Sequence, residues 1–386
     1  RCEDYALPKM NFAAIPYVIT AGDPLQFPPV PAVSSLLAEP EGQTKEHRIG
    51  QAMFEDQDYV CELKATMRFR GDPVLTRILA KMRTPGDDRS NLRLTEEEWR
   101  ALQSTDVDHG ASLNGTETWY MSAFSWAYVC MAQWNRSTEA AKAAKETLFI
   151  YAAKDYISNV DNRDVEAVRD HLLKLPNMNT TGRLPAVLLV CKTMRVRCTT
   201  TVCRCQAPVD TTGVIQHIEL NPADRLRWQH DEVDSVFVLH HAPTILVKID
   251  NSDEDTGLGP GVIAVEKHLC QPFATDLKLT TARVLKVRAR REQVPLTIVM
   301  ASTLYTLQGT TAEPGLIYYF RTPRRLEKVM KWIACYMALS RVRSLSELRS
   351  VGLTDSIREL IDLGADSNFE FRLWNYSKNA ASVCRS

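Results

Sequence analysis

Apolar positions recur along this chain with a period that changes partway through. In the first half the spacing is helical. Val74, Leu75, Ile78, Leu79 and Met82 fall on one face, behind Asp72-Pro73 and ahead of Pro85-Gly86. A capping acid, a proline at the first helical position and a Pro-Gly stop bound a helix there. Leu94 to Leu102 predicts a second short helix, with glutamates in the first turn where the helix dipole favours them. Phe124 to Leu148, rich in Ala, Trp and Met, predicts a long helix, followed by a strand from Leu148 to Ala153. Trp126, Tyr128 and Trp134 on that helix fit a core, with base stacking as the other reading. Ahead of these, Tyr17 to Ala21 is a strand run closed by Gly22-Asp23, and Pro28-Pro29 forbid a helix after it. Arg48 to Phe54 predicts a short helix and Tyr59 to Leu63 a strand.

From about Leu184 the period falls to two. LPAVLLV, MRVRCTTTV, TTGVIQHIEL, DSVFVLHH and TILVKID are strand runs separated by Pro, Gly, Asn and Asp turns. Several short strands in succession predict a small β-barrel. Arg283 to Arg291 holds five basic residues in nine, and alternation puts Arg288 and Arg290, or Arg283, on one side. Such a run is a solvated strand face or a phosphate contact. Leu296 to Ser302 and Leu316 to Phe320 are further strands. Pro323 opens a helix whose buried stripe is Leu326, Val329, Met330, Ile333, Ala334 and Met337. Arg324, Arg325, Lys328 and Lys331 lie on its other face.

The 386 residues, 45% hydrophobic and 24% charged, suffice for two or three globular domains. No apolar run approaches the roughly 20 residues that span a bilayer, and RCEDYALPKM has no signal-peptide core. The expected setting is intracellular, in the nucleus or mitochondrion if the source is eukaryotic. The first residue is not Met, so a fragment or a processed product is expected. A net charge of zero leaves room for a local basic groove. Cys191, Cys198, Cys203 and Cys205 lack paired C-x-x-C ends, so reduced thiols are expected there and no metal. The acidic loop Asn251 to Gly261 lacks EF-hand spacing.

Four short strings carry chemistry. Gly22-Asp23-x-x-Gln26-x-Pro-Pro-Val sits on a stiff loop after a strand, where ligands bind in open α/β sheets. It resembles motif III of superfamily 1 helicases, most closely the Pif-type and RecD-like DNA helicases. Arg68, between a strand and a helix start, resembles the motif IV arginine. Gln308, Gly309 and Thr311 match motif V, although Tyr305 and Leu307 stand where the family has His and Ser. Tyr336-x-Ala338-Leu339-Ser340-Arg341 is similar to motif VI. The strings occur in the family's order.

The resemblance implies RecA-like, P-loop NTPase-type α/β helicase domains, the first one truncated, with an inserted SH3-like β-barrel. Residues 1–58 would be the remnant of the first RecA-like domain. Residues 59–183 and 296–370 would be the halves of the second, 184–295 the insertion and 371–386 a tail. It implies ATP-dependent 5′-to-3′ unwinding, with ATP and Mg²⁺ as cofactors and a role in DNA repair or recombination. The partner would be single-stranded or forked DNA and the protein a monomer. Gln26, Arg68 and Arg341 would be the catalytic residues. Gly22, Asp23, Gln308 and Gly309 would bind nucleotide, and Thr311, Arg288 and Arg290 would touch DNA. Arg341 corresponds to the arginine finger, whose guanidinium neutralises charge on the γ-phosphate. No Gly-x-x-x-x-Gly-Lys-Ser/Thr and no strand ending in Asp-Glu occur in these residues. The expected phosphate cradle therefore lies N-terminal to them, and this chain by itself is expected not to hydrolyse ATP. The alternative is a degenerate helicase derivative that binds single-stranded DNA or a protein without turnover.

Overall fold

The computed structural model describes residues 25–26, 45, 48–49, 59–60, 68–84, 93–175, 177–203, 207–228, 235–279, 283–323, 325–364 and 382–383. The elements begin with β1 (Tyr59–Val60), α1 (Pro73–Arg83), α2 (Glu96–Gln103), β2 (Tyr120–Ala123) and α3 (Trp126–Ala144). They continue with β3 (Leu148–Ala152), β4 (Lys154–Ser158), α4 (Val165–Leu173), β5 (Val187–Val190), β6 (Arg195–Cys198) and β7 (Thr212–Glu219). Then follow α5 (Pro222–Arg227), β8 (Val236–Leu239), β9 (Thr244–Ile249), β10 (Val262–Val265), β11 (His268–Leu269), β12 (Phe273–Lys278) and β13 (Val284–Gln293). The last are β14 (Leu296–Ile298), β15 (Ala301–Thr303), β16 (Leu316–Tyr319), α6 (Lys328–Leu339), β17 (Leu348–Val351), α7 (Asp355–Ile361) and β18 (Ser382–Val383). They fall into two compact units, one of residues 1–111, 307–311 and 322–386, the other of 112–306 and 312–321.

The second unit contains a parallel α/β layer. β2 lies between β15 and β16 and is parallel to both, with Met121 opposite Ala301 and Tyr120 opposite Leu316. Ser125 caps α3, its hydroxyl accepting from the Ala127 amide. α3 lies against the layer, and Tyr128 stacks on Tyr319 with ring centroids 5.8 Å apart. Gly315 is required ahead of β16, because a Cβ there would lie 2.4 Å from the Trp119 ring.

The strands expected to make a barrel form an open antiparallel sheet, β10-β9-β7-β6-β14. Among the described residues β10 and β14 do not pair with each other, so no closed barrel is seen. The strand expected over Leu296 to Ser302 breaks after Ile298. β14 pairs with β6 in this sheet, whereas β15 turns to β2 in the parallel one. Gly213 lets β7 approach β9, since a Cβ there would lie 2.4 Å from the Lys248 carbonyl oxygen. DSVFVLHH and LPAVLLV, expected in the barrel, instead flank β3, which is parallel to β8 and antiparallel to β5.

A further sheet joins β12, β13 and β4, with β11 on the far end of β13. α4 covers one face, packing Val168 and Leu172 on Val287 and Ala289.

The first unit is helical at its core. Asp72 caps α1, with Oδ1 accepting from Val74 and Leu75 at 3.0 and 2.9 Å. Thr95 and Glu98 form a capping box on α2, and Lys81 of α1 reaches Glu98 at 2.6 Å. α6 starts at Lys328, five residues after Pro323, which instead opens a turn closed by the Leu326 amide. Trp332 to Leu339 are all buried, so its second half is apolar all round rather than striped.

Of the Cys cluster, Cys191 and Cys198 are buried and Cys203 is exposed. Burial pushes the Cys191 and Cys198 thiols up from 9.0 to about 12 and about 11, and Cys335 in α6 to about 12. Cys205 lies outside the described residues. A raised thiol pKa means that the folded chain keeps its proton where the unfolded chain has lost it. The associated stability is therefore complete below about pH 9 and lost as pH rises toward 12. The melting temperature is expected to fall across this window, and to fall less in Cys335→Ala. An equal fall in that variant would contradict the assignment.

Candidate functional site

A helix leaves its last carbonyls without intrahelical partners, and its C-terminus favours cations. α6 ends at Ser340, and two arginines meet it there. Arg68 donates from Nη1 to the Ser340 carbonyl at 2.6 Å. The Ser340 hydroxyl donates to the Met337 carbonyl at 3.0 Å and accepts from Arg341 Nε and Nη2 at 3.3 and 2.9 Å. Arg341 is only 2% exposed. Its Nη1 donates to the carbonyls of Leu307 and Thr310 at 3.4 and 3.3 Å. The arginine expected from motif IV, the Ser-Arg of motif VI and the loop of motif V therefore meet at one helix end.

The 307–311 loop is a tight turn. Thr310 donates through its amide and its hydroxyl to the Leu307 carbonyl, at 3.2 and 2.9 Å. Gly309 has φ +82, a region open to glycine at no steric cost. No atom lies within 4 Å of where its Cβ would be. Gln308, Gly309 and Thr310 are exposed, Thr311 is half-buried and Leu307 is buried. Leu307, in place of the family's Ser, thus anchors the loop through its side chain. In the other unit, Tyr305 lies 6.4 Å from Phe124 between ring centroids, and burial raises its phenol pKa.

Further contacts hold the arginines in place. Besides capping α1, Asp72 accepts from the Leu345 amide through Oδ2 at 2.8 Å. One carboxylate thus fixes the turn that carries Arg68 and the chain just after Arg341. Arg83 donates to the hydroxyl of Tyr336 at 2.9 Å, and the Tyr336 ring stacks on Trp332 at 5.5 Å. The sequence shows Asp72 as a cap but gives no sign of its second partner, 273 residues away.

Gln26 is half-buried beside buried Leu25, while Gly22 and Asp23 lie outside the described residues. Arg288 and Arg290 belong to the other unit, exposed on β13 as alternation requires. Arg283 is engaged with Asp164 at 2.6 Å. Of the helix aromatics, Tyr128 is packed and Trp126 half-buried, but Trp134 is 47% exposed. No group of three or more metal-ligating side chains is found among the described residues.

No family model and no curated protein matches this chain. In structure it is similar to Pif1 helicases. One is from Candida albicans, 14% identical with a TM-score of 0.44, the match covering 81% of this chain and 59% of that one. Another, from Bacteroides in complex with ADP-AlF3 and single-stranded DNA, is 15% identical with a TM-score of 0.48, covering 90% and 66%. A Bacteroides Pif1 bound to single-stranded DNA is 15% identical with a TM-score of 0.47, covering 87% and 63%. The chain spans about three-fifths of the length of these proteins. The functional reading rests on the residues of the site.

Proposed function

We propose that this chain is the motif III-to-VI portion of a Pif-type, ATP-dependent DNA helicase that moves 5′ to 3′ on single-stranded DNA. The observation that carries this reading is the meeting of Arg68 with Ser340-Arg341 across 272 residues of sequence, on the loop of Leu307 to Thr310. Chance resemblance of short strings has no reason to place the three strings together.

In this reading ATP with Mg²⁺ supplies the phosphoryl transfer, and the phosphate cradle comes from residues N-terminal to this chain. Arg68, half-buried at the helix end, and Arg341 would neutralise γ-phosphate charge. To do so, Arg341 would exchange its loop carbonyls for phosphate oxygens. That exchange would release the 307–311 loop, whose exposed Gln308 and half-buried Thr311 suit a DNA backbone. Gln26 would report the nucleotide state from the first RecA-like domain. The open sheet β10-β9-β7-β6-β14 would stand for the SH3-like insertion, and the protein would act as a monomer in DNA repair or recombination.

A second reading is a module that binds single-stranded DNA without turnover. It is favoured by the use of the Arg341 fork on two carbonyls and by Leu307 and Tyr305 at family Ser and His positions. Both readings predict that the chain binds a labelled single-stranded oligonucleotide, with an affinity that falls steeply between about 50 and 200 mM salt. No binding at low salt would remove both. The chain by itself is expected not to hydrolyse ATP. DNA-stimulated turnover that Arg341→Ala abolishes would overturn the placement of the cradle outside it.

A further inference from the structure

The sheet of β12, β13 and β4 buries one face under α4 and leaves the other open. Strand alternation puts the residues between the buried ones on the open face. On β13 these include Lys286, Arg288 and Arg290, on β4 Lys154, Tyr156 and Ser158, and on β12 Ala274, Asp276 and Lys278. The register sets Arg290 beside Tyr156, Arg288 between Ser158 and Ala274, and Lys286 beside Asp276.

Charge on this face is one-sided. Lys154, Lys278, Lys286, Arg288 and Arg290 stand against Asp276 and Glu292. Glu292 already pairs with Lys267 at 3.3 Å. Tyr156 is 44% exposed, with the Lys154 ammonium 5.1 Å from its ring centroid and its hydroxyl donating to Glu292 at 3.5 Å. Arg290 donates from Nε to the Cys270 carbonyl at 3.2 Å, which leaves its other guanidinium donors for a ligand. Ser158 and Ala274 are small, so a chain can approach the sheet on either side of Arg288. Arg288 and Arg290 are about 6.8 Å apart along the strand.

We propose that this face is a platform for single-stranded DNA, on which Tyr156 stacks a base and Arg288 and Arg290 hold neighbouring phosphates. It extends the DNA-binding part of the reading above and is independent of the nucleotide site. Aromatic stacking beside cations suits strands whose base faces are free, and it tolerates any sequence. A duplex hides those faces and offers only phosphates. A base on Tyr156 would displace Lys154 from the ring and leave its ammonium for a further phosphate.

The test is a titration of the full chain with fluorescein-labelled oligo-dT and with a duplex. Tyr156→Ala is expected to weaken oligo-dT binding on the order of tenfold and to leave duplex binding unchanged. Tyr156→Phe, which keeps the ring, should bind oligo-dT like the parent. Arg288→Gln with Arg290→Gln should reduce the salt slope by about 1.4, two phosphates at about 0.7 each. Parent-like oligo-dT binding and salt slope in both Tyr156→Ala and the arginine pair would overturn the platform while leaving the helicase reading standing. Equal loss on duplex and oligo-dT in Tyr156→Ala would overturn the stacking. Failure of the parent to bind oligo-dT would overturn both the platform and the DNA-binding part of the proposed function.

Discussion

Replacing Arg291 with alanine is expected to cost the fold about 3–5 kcal/mol. The side chain is fully buried. Its Nε and Nη2 grip both oxygens of Asp155 at 2.9 and 2.8 Å, and Nη2 also donates to the Leu172 carbonyl at 2.7 Å. One fork thus ties β13 to β4 and to the end of α4. Alanine would leave the Asp155 carboxylate, itself only 3% exposed, without its countercharge. Removing both charges is a different change, because an apolar pair of similar volume carries no desolvation penalty. Urea unfolding should therefore show Arg291→Met with Asp155→Leu to be much more stable than Arg291→Ala. If Arg291→Ala lost under about 1 kcal/mol, the pair would not be the buried link described.

Arg341→Ala is expected to act at two levels. On stability, it takes the guanidinium from the Thr310 carbonyl, while the Leu307 carbonyl keeps its bonds from the Thr310 amide and hydroxyl. Loss of such a hydrogen bond costs about 0.5–1.5 kcal/mol, and loosening should be confined to the 307–311 loop. Hydrogen exchange should show faster exchange of the Thr310 amide in the variant, and unchanged protection there would contradict the anchoring role. On activity, an arginine finger is worth on the order of 10³ to 10⁵ in rate. Arg341→Lys separates the two levels. It keeps the charge but cannot span the two carbonyls and the Ser340 hydroxyl with a planar fork.

The elements around the site were legible in the sequence because each has local punctuation. Asp72-Pro73 opens α1 and Thr95 with Glu98 opens α2, as the residues alone suggest. The order of the strings that resemble motifs IV, V and VI agrees with the meeting of Arg68, Ser340-Arg341 and the 307–310 loop. The strand β2, central to the parallel layer, went unseen. It is only four residues long and runs into α3 with no Gly or Pro between them. β4 and α4 were missed for a related reason. Their pattern makes sense only against β13, more than a hundred residues later, and Arg291 joins the three. Alternation specifies a two-faced strand but not its neighbour, so it does not by itself put these strands into one closed barrel. β5 and β8 have the same texture as β7 and β9, yet they flank β3. The Pro323 helix start erred because a proline that suits a first helical turn suits a tight turn equally well.

The central claim is that Arg68 and Arg341 serve a nucleotide site coupled to single-stranded DNA. The most direct measurement is ATP hydrolysis, with and without single-stranded DNA, by this chain joined to the proposed phosphate cradle. The account predicts DNA-stimulated turnover that falls by about 10³-fold or more in Arg341→Ala, with DNA affinity retained. A parent without DNA-stimulated turnover, or a variant that turns over like the parent, would contradict it.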